Sequence, residues 1–173
     1  MNVPLKRGIT DQAYLDLFKK VMNRVMASYV PDVLVIQCGA DSLSKDKLGH
    51  LNLSIKAHGE LVTFMKHFGA PMVLLGGGGY TIENVARCWT YETGLMLNRE
   101  IDNEIPKDDY FYNYYGKENN MIHFEVDKVE NQNSKEYIDD IVQTVTENLR
   151  EAELRPSVAF HSAPKHYIPT EEQ

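Results

Sequence analysis

A chain of 173 residues, 43% hydrophobic and 25% charged, is long enough to bury one real core, and its totals exclude a disordered polypeptide. The formal net charge of −7, with six histidines counted neutral, argues against a nonspecific binder of nucleic-acid phosphates and leaves room for a basic partner. Cys38 and Cys88 are too few for a disulfide framework, no apolar run nears the ~20 residues of a membrane span, and the N-terminus lacks a signal-peptide layout. These features predict a soluble, intracellular protein in a reducing compartment.

Taken in order, Met1–Leu5 is short and apolar, reads as a strand, and opens the chain as an interior segment would. Thr10 or Asp11 can cap a helix whose apolar positions Tyr14, Leu17, Phe18, Val21, Met22, Val25 and Met26 recur at three and four, ending before Pro31. Val33–Gln37 is continuously apolar and reads as a buried strand; Cys38–Leu53 follows as a long loop rich in Gly, Ser, Asp and Lys. Ser54 is a plausible cap for a helix ending near Phe68–Gly69, and Met72–Leu75 is the next strand. Thr81 can then cap a helix with Ile82, Val85, Ala86, Trp89 and Met96 on one side. Strand, helix, strand, helix predicts a parallel α/β unit.

Residues 99–133 show no clear period and contain the aromatic cluster Tyr110, Phe111, Tyr112, Tyr114 and Tyr115. The acidic neighbourhood favours a packed loop over a base-stacking platform, because such platforms sit in basic grooves. Ser134 caps a last helix with Ile138, Ile141, Val142, Val145 and Leu149 at helical spacing. Beyond Pro156, residues 157–173 read as a mobile tail, leaving 1–156 as one domain without internal repeat or linker.

Two stretches share a layout that bears on chemistry. Val33–Asp41 (VLVIQCGAD) and Met72–Tyr80 (MVLLGGGGY) each run from an apolar strand through glycine to one reactive side chain. Parallel sheets bind ligands beyond the carboxyl ends of their strands, and both Asp41 and Tyr80 fall there. The four glycines match neither a Walker loop nor Gly-x-Gly-x-x-Gly, which weakens a nucleotide-binding reading. Taken alone, Asp41 is open to three readings: metal ligand, general base or turn residue. Tyr80 is either a hydrogen-bond donor or an ordinary aromatic at a helix start. His50 and His58 form no recognised ligand pair with a carboxylate and read as loop or helix-surface histidines.

The runs QCGADSLSKDKLGHLNLSIKAHGE and LGGGGYTIENVARCWTYETG, followed by NQNSKEY, closely resemble the catalytic domain of the class I histone deacetylases. The similarity extends from Asn2 to about Pro156. The resemblance implies an arginase-like, three-layer αβα fold with a parallel sheet. It also implies Zn2+ as cofactor with Asp41 as one ligand, Tyr80 as hydrogen-bond donor to the acetyl carbonyl, Leu48 lining the acetyl-lysine tunnel, and Gly78 and Gly79 shaping its floor. Its substrates would be acetylated histone tails or other acetyl-lysine proteins. A corepressor complex would be the partner in chromatin regulation and transcription repression, with no direct nucleic-acid or membrane contact. The expected location is the nucleus, with the cytoplasm as a second compartment.

Two departures from the family pattern stand out. No Asp-x-His and no His-His occurs in the chain, although the family uses both, the first for zinc and the second for the water's proton. Catalytic zinc ordinarily takes three protein ligands. The expectation is therefore the C-terminal part of a deacetylase domain, inactive alone, with an incomplete sheet and uncovered apolar faces; a non-catalytic interaction module is the competing reading. At the rim, Lys47 and Glu83 stand where the family's inositol-phosphate-binding members carry arginines, which predicts weak or absent inositol-phosphate binding.

Overall fold

A computed structural model describes residues 1–115 and 120–153 of the chain. The expected tail at 157–173 and the end of the expected domain at 156 lie outside the described residues. Four helices, α1 (Asp11–Ser28), α2 (Ile55–Lys66), α3 (Ile82–Met96) and α4 (Lys135–Glu153), accompany two strands, β1 (Leu34–Gln37) and β2 (Met72–Leu75). The strands pair in parallel from Leu34 opposite Met72 to Gln37 opposite Leu75. Hydrogen bonds from Leu34 N–H to Pro71 C=O and from Cys38 N–H to Leu75 C=O, both 2.8 Å, extend the ladder by one step at either end.

The cap chemistry explains the helix starts unevenly. Ser54 Oγ accepts from the Ala57 N–H at 3.1 Å, and Ser134 Oγ accepts from the Tyr137 N–H at 3.2 Å, as the sequence predicts. Thr10 and Thr81 make no side-chain cap. The Asp11 carboxylate instead accepts from Ser54 N–H (2.8 Å) and Ser54 Oγ (2.6 Å), joining the starts of α1 and α2. Thr81 Oγ1 donates to the Lys45 carbonyl at 2.7 Å, joining α3 to the long loop after β1.

Two apolar clusters hold these elements. Leu17 and Val21 of α1 meet Ile141 and Val145 of α4, all buried, so the 3.6-residue stripes of both helices find each other. Ala40, Leu43, Ile55, Cys88, Ile105 and Ile122 form the second cluster, beneath the loop that carries Asp41. Gly59 lets α2 approach α3 closely: a Cβ there would lie 2.5 Å from the Tyr91 ring and 2.6 Å from Leu95 Cδ1.

Four expectations change. Met1–Leu5 forms no strand; Val3 and Leu5 pack instead against the α1–α4 cluster. The strands are not buried on both faces: their burial alternates, and Val33, Val35, Val73 and Leu75 remain 47–65% exposed. A sheet of two strands with one open face has no third layer among the described residues, so the structure supports the α/β class but not the three-layer detail. Ile82 is 78% exposed and Ala86 is exposed as well, because the packed face of α3 is the one that carries Asn84, Arg87, Cys88 and Glu92. The aromatic cluster is only partly a packed loop. Tyr112 and Tyr115 pack on the second core, whereas Tyr110, Phe111 and Tyr114 are exposed and touch one another edge to face.

Candidate active site

The glycines place the two strand-end loops in contact. After β1 the chain turns through a short 3-10 helix, Ala40–Ser42, and the Ala40 N–H donates to the Gly78 carbonyl at 2.7 Å. Trp89 Nε1 of α3 donates to the Cys38 carbonyl at 2.7 Å, fixing the start of the same turn. The loop after β2 lies directly on Asp41. A Cβ at Gly78 would fall 2.1 Å from Asp41 Oδ2, and one at Gly39 would fall 2.9 Å from Asp41 Oδ1. Gly79 adds a φ of +149°, a backbone state that L residues rarely adopt. Only glycine at position 78 leaves this carboxylate its space.

Asp41 is half-buried and opens, with Gln37, Gly39, Ser42, Gly78 and Glu92, onto a cavity of about 340 Å³. No described residue donates a hydrogen bond to its carboxylate, so both oxygens are available. Tyr80 follows two residues after Gly78 and is 45% exposed. Leu48, 61% exposed, stands on the opposite loop. The structure thus brings Asp41 and Gly78 into contact, and links Leu48 to Tyr80 through a residue that the sequence reading passed over.

That residue is Asp46. Its Oδ1 accepts from the N–H groups of Leu48 and Gly49, both at 2.8 Å, and its Oδ2 accepts from the Tyr80 N–H at 2.7 Å. Partial desolvation pushes the Asp46 carboxyl upward, but donation from Tyr80, Gly49, Leu48 and Thr81 outweighs it and the net shift is downward. An Asp whose carboxylate caps the amides two and three residues on is a familiar turn signature, so the Asp46–Gly49 half was open to sequence reasoning. The Tyr80 half is tertiary.

His58 corrects the surface reading given to it above. It is buried on the α2 face that also carries Ile55, Val62 and Met65, at helical spacing, and that spacing was the available signal. Its Nδ1 lies 2.9 Å from Glu92 Oε1 on α3, and its Nε2 meets Ser42 Oγ. His50, by contrast, is exposed. The chain Glu92–His58–Ser42 ties two helices to the residue beside Asp41. Burial, with Glu92 adding to it, holds both cysteine thiols well above the ordinary range, Cys38 up to about 12 and Cys88 higher still.

The donors can be tested against zinc. Asp41 supplies one available carboxylate, and among the described residues it belongs to no group of three His, Cys or carboxylate side chains close enough to hold a metal together. His58, Cys88 and Glu92 do gather, with ligand atoms within 4.8 Å of one another, but both ring nitrogens of His58 are already engaged by Glu92 and Ser42. The residues of this chain therefore fit one corner of a catalytic zinc site and not the whole of it.

Comparison with known proteins bears on that corner. The model of the histone deacetylase domain matches residues 1–96, a span that includes Asp41, Leu48, Gly78, Gly79 and Tyr80. Probable histone deacetylase 1-B of Xenopus laevis is 49% identical over 168 residues, covering 97% of this chain and 35% of the relative. Histone deacetylase 1 of Homo sapiens is 48% identical over 168 residues, covering 97% of this chain and 34% of the relative. For histone deacetylase 1 of Bos taurus the identity is 48% over 165 residues, with coverages of 95% and 34%. The chain thus spans about a third of the length of these relatives.

Proposed function

The chain belongs to the histone deacetylase family, and from that premise we propose that it is the C-terminal part of the catalytic domain of a zinc-dependent protein-lysine deacetylase. The reaction is hydrolysis of an N-epsilon-acetyl-lysine amide, with acetylated histone tails or other acetyl-lysine proteins as substrates. The supporting observation is the seating of Gly78 on the Asp41 carboxylate, two residues before Tyr80. It sets an acceptor for a cation and a phenolic donor at the ends of neighbouring parallel strands.

In this reading Asp41 holds Zn2+ with donors supplied from outside this chain. When bound, the cation supplies a nucleophilic water near neutral pH and polarises the acyl oxygen. The chain's own residues do the rest. Leu48 offers apolar surface to the lysine stem, Gly78 and Gly79 keep side chains out of the tunnel floor, and the Tyr80 hydroxyl donates to the oxygen as it takes on charge. A single donor of that kind is worth ~10²–10³ in rate. Among the described residues none is placed to take the proton from water or deliver it to the leaving amine, and in this reading the chain is inactive by itself. Nuclear residence and membership of a corepressor complex follow from the same reading.

The open sheet face and the single cation donor also suit a second reading, a non-catalytic module that binds deacetylase partners. Recovery of the tagged chain from its source cells separates the two. We expect co-purifying zinc and deacetylase activity that Asp41→Asn abolishes and Tyr80→Phe lowers by about 10²–10³-fold, while the purified recombinant chain is inactive and zinc-free. Activity in the recombinant chain alone would overturn the account of the missing donors. Activity indifferent to both substitutions would favour the binding module.

Lys47 is exposed, and Glu83 lies one turn before Arg87 on α3. A carboxylate there repels a polyphosphate, so inositol phosphate should activate the complex weakly or not at all. Glu83→Arg in an active preparation should raise that activation; an unchanged response would sink the explanation.

A further inference from the structure

Leu48 and Tyr80 belong to different loops, 32 residues apart in sequence, yet each donates its backbone N–H to the same carboxylate. Oδ1 of Asp46 takes the Leu48 and Gly49 amides, and Oδ2 takes the Tyr80 amide. The adjoining residues repeat the link in reverse, since Thr81 Oγ1 donates to the Lys45 carbonyl at 2.7 Å. Lys45 holds a φ of +67°, unusual for a residue with a side chain. Such a conformation persists only where its surroundings hold it, and the Thr81 contact on its carbonyl, with the Lys45–Asp127 ion pair at 3.7 Å, does so.

We infer that Asp46 is a positioning residue: its carboxylate clamps the Leu48–Gly49 turn to the backbone of Tyr80, so that tunnel wall and hydrogen-bond donor move as one unit. The inference rests on the roles proposed above for Leu48 and Tyr80, while the clamp itself stands on geometry alone. The chemistry demands a carboxylate. Backbone N–H groups from two loops converge on two oxygens, and an amide offers only one. In Asp46→Asn the oxygen stays with the Leu48 and Gly49 amides, where it satisfies two donors, and the NH2 group then confronts the Tyr80 N–H. In Asp46→Ala both sides are released. A residue that merely closed a local turn would leave Tyr80 unchanged in both variants.

Hydrogen exchange on the intact 173-residue chain, with 3-fluorotyrosine labelling, tests this. The Tyr80 fluorine line is assigned by its disappearance in Tyr80→Phe. In Asp46→Asn we expect the Tyr80 amide to exchange on the order of tenfold faster, the Leu48 and Gly49 amides to keep their protection, and the Tyr80 line to shift or broaden. In Asp46→Ala all three amides should quicken, with α1 and α4 still protected. Unchanged exchange and an unchanged line at Tyr80 in both variants would overturn the clamp. So would loss of protection throughout the chain in both, which would make Asp46 a residue of the fold. Activity does not enter the measurement. A failed clamp leaves the proposed reaction standing, and a failed reaction leaves the clamp.

Discussion

At the scale of single residues, two glycines around Asp41 have different jobs. A Cβ at Gly49 would lie 1.6 Å from the backbone oxygen of Asp41, whereas at Gly78 the obstacle is the side-chain oxygen at 2.1 Å. Backbone cannot step aside without remaking the turn, but a carboxylate can rotate. Gly49→Ala should therefore cost about 1–3 kcal/mol in urea unfolding, while Gly78→Ala should cost less and mainly re-aim the Asp41 carboxylate, which under the proposed zinc role lowers zinc retention in the native preparation. Equal losses of stability would contradict this division. Asp46 adds a pH dependence. Its folded pKa is depressed, so its contribution is fully present above the unfolded value and is lost as pH falls through the folded one. The stability difference between wild type and Asp46→Asn should thus be constant above about pH 5 and shrink at lower pH. A difference that grew on acidification would have the wrong sign.

At the scale of elements, the pairing of α1 with α4 joins segments far apart in sequence, 127 residues apart at the Lys6 N–H to Asn133 Oδ1 bond of 2.7 Å. Leu17 is 2% exposed at the centre of that contact, and Leu17→Ala should cost ~2–5 kcal/mol, read as a shift in the urea midpoint. Both helices were legible in sequence because their apolar stripes keep a 3.6-residue period, and Ser54 and Ser134 announced two of the starts. The short strands were equally legible, as apolar runs that break into glycine. Other features depended on distant partners. Thr81 looks like a cap, but its hydroxyl goes to Lys45 across the site; His58 looks like a surface histidine until Glu92 is placed beside it. Asp41 and Tyr80 could be singled out by their place after strands, whereas the link from Asp46 to Tyr80 could not, because that hydrogen bond crosses to another loop.

At the scale of the whole molecule, the open face of the sheet departs from the buried strands that the continuous apolar runs predict and agrees with the uncovered apolar faces expected of an incomplete sheet. Parallel sheets are covered on both faces in complete α/β domains because their crossovers place helices on each side. Here Val35 and Val73 are register partners on adjoining strands, and both remain about half exposed or more. Val33 and Leu75 extend the same apolar surface along the strands. With so few strands each edge also offers unpaired backbone groups, which makes the sheet a template for association. The chain by itself should consequently self-associate as concentration rises, and the association should run through this face. Replacing Val35 and Val73 together with Thr keeps a β-branched shape and exposes hydroxyls instead of methyls, so the strands can persist while the surface loses its apolar character. Sedimentation velocity should show the wild-type chain shifting toward larger species and the double variant staying monomeric at the same concentration. If both associate alike, the contact lies elsewhere, and the exposed row of Tyr110, Phe111 and Tyr114 becomes the next surface to alter.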